Sequence, residues 1–234
     1  MTLDYPKHKN ILLQILKDIF SDTSLSPYLG FKGGTAALMF YGLTRNSVDI
    51  DLDLLDESKE QEVFEKIKKI AESYGRIVDA RIKRFNIVVV IAYDQKSQNI
   101  KIEVNRRNYG SRYELKTLLG ISMPVMVKED MFANKLMAMH ERVGKTSRDV
   151  YDVYFFAKNN WPINKQLVEA RAQKSLAEVL TDCIAQLEKM DNRHILAGLG
   201  EVLSEPQKDW AQAKLRTDTI FLLRAWLESE RVAG

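Results

Sequence analysis

Residues 31–54 read FKGGTAALMFYGLTRNSVDIDLDL, and this stretch decides the fold. From Val48 to Leu54 apolar and acidic residues alternate strictly. That is the period-two pattern of a strand with one buried face and one carboxylate-bearing face. Residues two apart on a strand point to the same side, so Asp49 and Asp51 stand side by side and Asp53 extends the row. Gly33-Gly34-Thr35 comes first, separated from Asp49 by thirteen residues that include AALMFYGL, rich in helix formers. The order is therefore a glycine turn, a helix and an acidic strand.

Close like charges repel, and solvation by water gives no reason to align them. A divalent cation does, because Mg²⁺ takes oxygen ligands and completes its shell with waters and substrate phosphates. Gly33 and Gly34 lack side chains, so a phosphate can approach the backbone. With Thr35 at the start of the following helix, the backbone N–H groups and the helix dipole favour an anion there. The Thr35 hydroxyl is expected to donate to that anion or to cap the helix. Arg45 and Ser47, just before the acids, join the candidate substrate-binding set. An acidic edge strand and a glycine turn each occur for plain structural reasons. It is their combination that points to a metal- and phosphate-binding site.

Outward from this stretch, residues 8–20 place apolar side chains at 11, 12, 15, 16, 19 and 20, which is helical spacing. ESKEQEVFEKIKKIAESYG reads as an amphipathic helix ending at Gly75. RIVDARIKRF, NIVVVIAYD and IKIEVN read as strands, the last two joined by a turn at DQKSQN, in a small and mostly antiparallel sheet. From about residue 127 helical periodicity takes over, in four expected segments: KEDMFANKLMAMHERV, SRDVYDVYFFAKN, NKQLVEARAQKSLAEVLTDCIAQLEKM and DWAQAKLRTDTIFLLRAWLESERV. The expected architecture is α+β: a mixed sheet with flanking helices in residues 1–125, then a helical domain in residues 126–234.

Composition narrows the class. The 234 residues are 45% hydrophobic and 29% charged, ordinary for a globular protein. No apolar run approaches the roughly 18 residues of a membrane span. The start, MTLDYPKHKN, shows no secretory signal, so the cytosol is the expected compartment. A single cysteine, Cys183, excludes an intramolecular disulfide and is expected to be buried in a helix. His8, His140 and His194 share no ligand-like spacing, and no Gly-x-x-x-x-Gly-Lys-Thr loop is present, so neither a zinc site nor a P-loop is expected. The net charge of +3 does not announce nucleic-acid binding. Two basic clusters do stand out: Arg76, Arg81, Lys83 and Arg84, then Lys101, Arg106, Arg107, Arg112 and Lys116.

The stretch from Phe31 to Leu54 resembles the first motif of the nucleotidyltransferase superfamily, and especially the AbiEii/AbiGii toxin branch. That motif reads roughly Gly-Gly-Thr/Ser, a helix, then Arg-x-Ser-x-Asp-Ile-Asp. The resemblance resumes from about residue 127 to 157 and leaves the C-terminal third undiagnosed. It implies metal binding at Asp49 and Asp51, with Asp53 auxiliary. It also implies a third carboxylate from a neighbouring strand, for which Glu103 in IKIEVN is the candidate. Lys135 in FANKLMAMHER is similar to a family lysine that contacts nucleotide phosphate. Arg148-Asp149-Val150-Tyr151-Asp152 resembles the family's Arg-Asp-x-x-Asp segment, with Asp149 favoured over Asp152 to orient Lys135 or assist the acceptor. Tyr151, Tyr154, Phe155 and Phe156 read as core.

The activity implied is transfer of a nucleoside monophosphate from an NTP to an acceptor hydroxyl with Mg²⁺ or Mn²⁺. The setting implied is the toxin of a toxin–antitoxin pair, with an antitoxin as partner and the tRNA 3′ end as one acceptor. For an RNA acceptor, Arg81, Lys83, Arg84, Arg106 and Arg107 are the expected contacts. Two other readings use the same residues: a non-catalytic nucleotide- or partner-binding module, and a phosphotransferase that moves the γ-phosphate.

Overall fold

The computed structural model describes residues 4–94, 99–143 and 145–233. Four residues of the expected turn at DQKSQN, 95–98, lie outside them. By its contacts the chain divides into two compact units, Met1–Met126 and Val127–Gly234.

The first unit is built on one mixed sheet. Its strands are β1 (Leu29–Lys32), β2 (Ile50–Leu54), β3 (Arg76–Ile82), β4 (Asn86–Ala92), β5 (Asn99–Asn105), β6 (Tyr113–Leu118) and β7 (Ile121–Met126). Their order across the sheet is β3-β4-β5-β2-β1-β7-β6. The pairs β2–β5 and β1–β7 are parallel and the others antiparallel. Its helices are α1 (Tyr5–Ser21), α2 (Gly33–Tyr41) and α3 (Glu60–Glu72). The strand alternation read from sequence is real. Ile50, Leu52 and Leu54 of β2 and Ile100, Ile102 and Val104 of β5 are buried, as are the α1 residues Ile15 and Ile19 and the α3 residues Val63 and Ile67. Phe31 of β1 meets Phe20 of α1 and Phe40 of α2 at ring-centre distances of 6.2 and 6.4 Å.

The sheet is larger than the expected one. The β6–β7 hairpin adds two strands through a two-residue turn, Leu119–Gly120, with φ positive at both residues. β1 is only four residues long, too short for its alternation to show.

The second unit is helical: α4 (Lys128–Arg142), α5 (Arg148–Lys158), α6 (Lys165–Ala172), α7 (Leu176–Lys189), α8 (Glu205–Trp210) and α9 (Arg216–Ala233). The segment expected as one helix from Asn164 to Met190 is two. Gln173 turns left-handed at φ 54°, and Ser175 starts α7 with a capping box to Glu178. A π-helical turn, Ala211–Leu215, joins α8 to α9. The aromatics of α5 belong to the core: Phe156 stacks on Trp161 at 4.1 Å, and Tyr154 lies 4.7 Å from Trp210. Cys183 is buried in α7, and burial pushes its thiol up to about 12. No helix among the described residues is long and apolar enough to cross a membrane.

Candidate active site

Strand pairing creates the candidate site of the first unit. In the parallel register of β2 and β5, Asp51 is opposite Glu103 and Asp53 opposite Asn105. Residues in register on adjacent strands share a face. With the alternate residues buried, the polar face carries Asp51, Asp53, Glu103 and Asn105. The antiparallel register of β1 adds Lys32, opposite Asp51. Asp49 lies one residue before β2. Its carboxylate and that of Asp51 both act electrostatically on Lys101 of β5, which places the two acids near one ammonium group. Burial lowers the Lys101 pKa, but Glu103, Asp49 and Asp51 together raise it above the usual lysine value.

The glycine pair is packed against these side chains. α2 starts at Gly33, two residues earlier than expected, and its cap residue Lys32 makes no side-chain hydrogen bond to the first-turn amides. Gly33 has φ 77°, and a Cβ there would collide with the Asp51 carboxylate. A Cβ on Gly34 would stand 2.6 Å from the Arg45 guanidinium and 2.9 Å from Ser47 Oγ. The space on the Cα side of Gly34 therefore seats Arg45 and Ser47, both buried. The expected role of Thr35 is corrected. It is the third residue of α2 and does not cap the helix. Its buried hydroxyl donates to the Asp49 carbonyl and lies 2.9 Å from Ser47 Oγ. Thr35 and Ser47 thus fix the backbone that enters β2.

Two carboxylates expected at the site are engaged within the protein. Asp53 accepts from Lys32 at 2.5 Å, Asn105 at 2.7 Å and Tyr113 at 2.5 Å. Glu103 accepts from Asn86 and from Lys101, each at 2.7 Å. Burial raises the Glu103 pKa, but Lys101 and Asn86 outweigh it and hold the group below the usual carboxylate value. The three-carboxylate metal cage of Asp49, Asp51 and Glu103 is not formed. Among the described residues no three His, Cys, Asp or Glu side chains gather to hold a metal ion. The pair Asp49 and Asp51 still fits Mg²⁺ or Mn²⁺, because Mg²⁺ is commonly held by one or two carboxylates with waters and substrate phosphates.

A second cluster lies within the helical unit. Lys135 of α4 pairs with Asp149 at 3.0 Å and Asp152 at 2.9 Å, both on α5. Arg142, two helical turns beyond Lys135, donates to Asp149 at 2.7 Å. Asp149 is 2% exposed, Asp152 is fully buried and Lys135 is 17% exposed. Burial raises the Asp149 pKa, but Lys135 and Arg142 outweigh it and hold the group below the usual carboxylate value. Lys135 is therefore part of a semi-buried ion cluster. Both aspartates contact it, where the sequence reading favoured Asp149 over Asp152.

Residues 14–222 match the family of nucleotidyl transferase AbiEii toxins of type IV toxin–antitoxin systems. The chain belongs to that family. No curated protein matches this AbiEii-family chain. Among solved structures it is similar to JHP933 from Helicobacter pylori, at 20% identity and a TM-score of 0.60, covering 100% of this chain and 97% of that one. A second H. pylori structure, described as a candidate nucleotidyltransferase, is 21% identical with a TM-score of 0.59 and 98% coverage of both chains. At these identities the likeness shows a shared fold. The family match carries the general activity, nucleotidyl transfer.

Sequence reading placed Lys101 in a basic cluster but not beside the acids, and it missed Lys32, Asn86, Asn105, Tyr113 and Arg142 in the two clusters of this AbiEii-family protein. Lys101 is two residues from Glu103 on one strand, and Arg142 seven from Lys135 on one helix, so periodicity could have placed both. Lys32 and Asn86 reach their partners through strand pairing, which the sequence does not display.

Gly33→Ala is expected to disturb both fold and site. An alanine at φ 77° costs about 1–2 kcal/mol, and its methyl group must also displace the Asp51 carboxylate. Urea unfolding should show the lost stability, and nucleotidyl transfer should fall further than stability explains. A variant with wild-type stability and activity would remove this role of Gly33.

Proposed function

We propose that this chain moves a nucleoside monophosphate from an NTP to an acceptor hydroxyl at the polar face that carries Asp49 and Asp51. The observation supporting this most directly is Gly33, which begins α2 with first-turn amides uncapped by Lys32 and sits against the Asp51 carboxylate. Helix N-terminal amides suit phosphate oxygens, and paired carboxylates suit a divalent cation. The acceptor oxygen bonds to the α-phosphorus as the bond to pyrophosphate breaks, and the hydroxyl proton leaves to solvent. Asp49 and Asp51 would hold Mg²⁺ or Mn²⁺, which would supply charge neutralisation of the triphosphate and acidification of the acceptor hydroxyl. Lys32 and Lys101 contribute positive charge to the same face. Thr35, Ser47 and Arg45 keep the backbone of the acids in place. To Lys135 we assign the nucleotide-phosphate role that the motif resemblance implies.

The protein acts in this reading as a cytosolic toxin with a cognate antitoxin, and the tRNA 3′ end is the acceptor. The test is incubation with each NTP, labelled at the α- or γ-phosphate, with Mg²⁺ and total RNA. Label from the α-position should enter RNA and label from the γ-position should not. Transfer of γ-label would establish a phosphotransferase. Nucleotide binding without transfer of either label to RNA, protein or small molecules would leave a binding module.

A further inference from the structure

The structure sorts the members of the two basic clusters. Arg81 pairs with Asp79 at 2.9 Å, Lys101 with Glu103 at 2.7 Å, Lys116 with Glu114 at 3.0 Å, and Arg106 with Glu60. Among the described residues no carboxylate pairs with Lys83, Arg84 or Arg107, all exposed. Two of these converge on a phenyl ring. The Arg84 guanidinium is 4.9 Å and that of Arg107 5.3 Å from the centre of Phe85, and Arg107 also reaches Tyr109 at 5.5 Å. Phe85 is 46% exposed in the β3–β4 turn, where no core demands an aromatic.

The turn is braced. Lys83 N–H donates to the Asn86 carbonyl at 2.8 Å, and the Phe85 carbonyl accepts from Arg106 N–H at 2.8 Å. The Arg106 guanidinium donates to the carbonyls of Lys83 at 2.8 Å and Arg84 at 3.2 Å. Arg106 thus braces the turn and Arg81 is ion-paired with Asp79, so among the five expected RNA contacts Lys83, Arg84 and Arg107 are the ones that no carboxylate pairs with among the described residues. Asn105 holds the Arg107 carbonyl at 2.8 Å and Asp53 at 2.7 Å, linking the aromatic cluster to the carboxylate strand. Asn86, next to Phe85, lies in the cross-strand row Asp53–Asn105–Asn86. Two strand spacings put it about 10 Å from Asp53, on the face of Asp51.

An acidic protein would use the charge here and leave the ring idle. Duplex nucleic acid hides its bases from the ring. Unpaired bases use both, stacking on the phenyl face or on a guanidinium plane while phosphates meet the cations. We infer that Phe85, with Arg84, Arg107, Lys83 and Tyr109, is a stacking platform for single-stranded nucleic acid leading toward the carboxylate face. Only the direction of that path rests on the proposed transfer site; the binding does not.

The test uses the full chain without NTP or divalent cation. Fluorescence anisotropy follows a labelled twelve-nucleotide single-stranded RNA of mixed sequence, and the same strand in duplex, across a range of salt. Phe85→Ala should weaken single-strand binding about tenfold and duplex binding less than about twofold, while Phe85→Tyr stays near wild type. The double variant Arg84→Gln/Arg107→Gln should flatten the log–log salt slope by about 1.4. A thermal melt checks that each variant is folded. Wild-type affinity in folded Phe85→Ala, equal losses for single strand and duplex, or no single-strand binding by the wild type at low salt would each overturn the platform. So would Phe85-dependent displacement of the RNA by polyglutamate, which would make the partner an acidic protein. Phe85-dependent RNA binding in a chain that transfers no nucleotide would support the platform and overturn the proposed reaction.

Discussion

Asp49→Asn/Asp51→Asn is expected to lower nucleotidyl transfer at least ~10³-fold, an effect of the size expected when preorganised charge is removed from a reacting phosphate. Asparagine keeps the size and polarity of aspartate, so entry into β2 and its buried alternate residues Ile50 and Leu52 are undisturbed. Two electrostatic effects oppose each other in the folded chain. Neutralising both acids removes their mutual repulsion and also their attraction for Lys101. Both side chains are half-buried, and the near-isosteric replacement should change stability by about 1 kcal/mol, the centre of the range for single substitutions. The two measurements are incorporation of α-labelled nucleotide and the midpoint of urea unfolding. Full metal-dependent transfer by the double variant would move the reaction away from these carboxylates.

Lys135→Met should have the largest effect on stability. It leaves Asp149 and Asp152 buried without the ammonium group that both contact. Breaking a buried pair on one side costs about 3–5 kcal/mol. For a chain of this size, that lowers the melting temperature by roughly 6–20 °C. The pH dependence follows from the depressed Asp149 pKa in the wild type. A depressed carboxylate contributes stability that is present above its unfolded value, near 4, and is lost as pH falls through the folded value. The wild type should therefore weaken in acid below about pH 4. In the variant, burial raises the Asp149 pKa with less to oppose it, so protonation relieves the penalty and the gap to wild type narrows as pH falls. Thermal melts from pH 8 to pH 4 measure this, and a constant gap would mean that the cluster does not hold charged aspartates. Calorimetry with NTP and Mg²⁺, well below both melting temperatures, tests the phosphate role. Unchanged nucleotide affinity in the folded variant would leave Lys135 a structural cation only.

The α+β class, the helical character after residue 127 and the acidic strand were all legible before any fold was known. These are encoded in local periodicity: apolar–acidic alternation from Val48 to Leu54, and helical spacing in α1, α3, α4 and α7. The motif from Phe31 to Leu54 also carried the family. Tertiary structure alone decided which charges are available. Asp53 and Glu103 read as two more acids on the carboxylate face, yet Lys32, Asn105, Tyr113, Lys101 and Asn86 occupy their oxygens. Gly34 reads as bare for the sake of a phosphate, yet Arg45 and Ser47 also fill the space a side chain would need. Lys135 reads as a lysine beside an apolar stripe, yet two aspartates of the next helix hold it. Arg106 and Arg107 are adjacent, yet one braces a turn and the other lies against an exposed ring. The physical reason is common to all four. A side chain's period tells which face it takes, but what it meets there depends on strand register and helix packing, which bring in partners that are mostly distant in the chain.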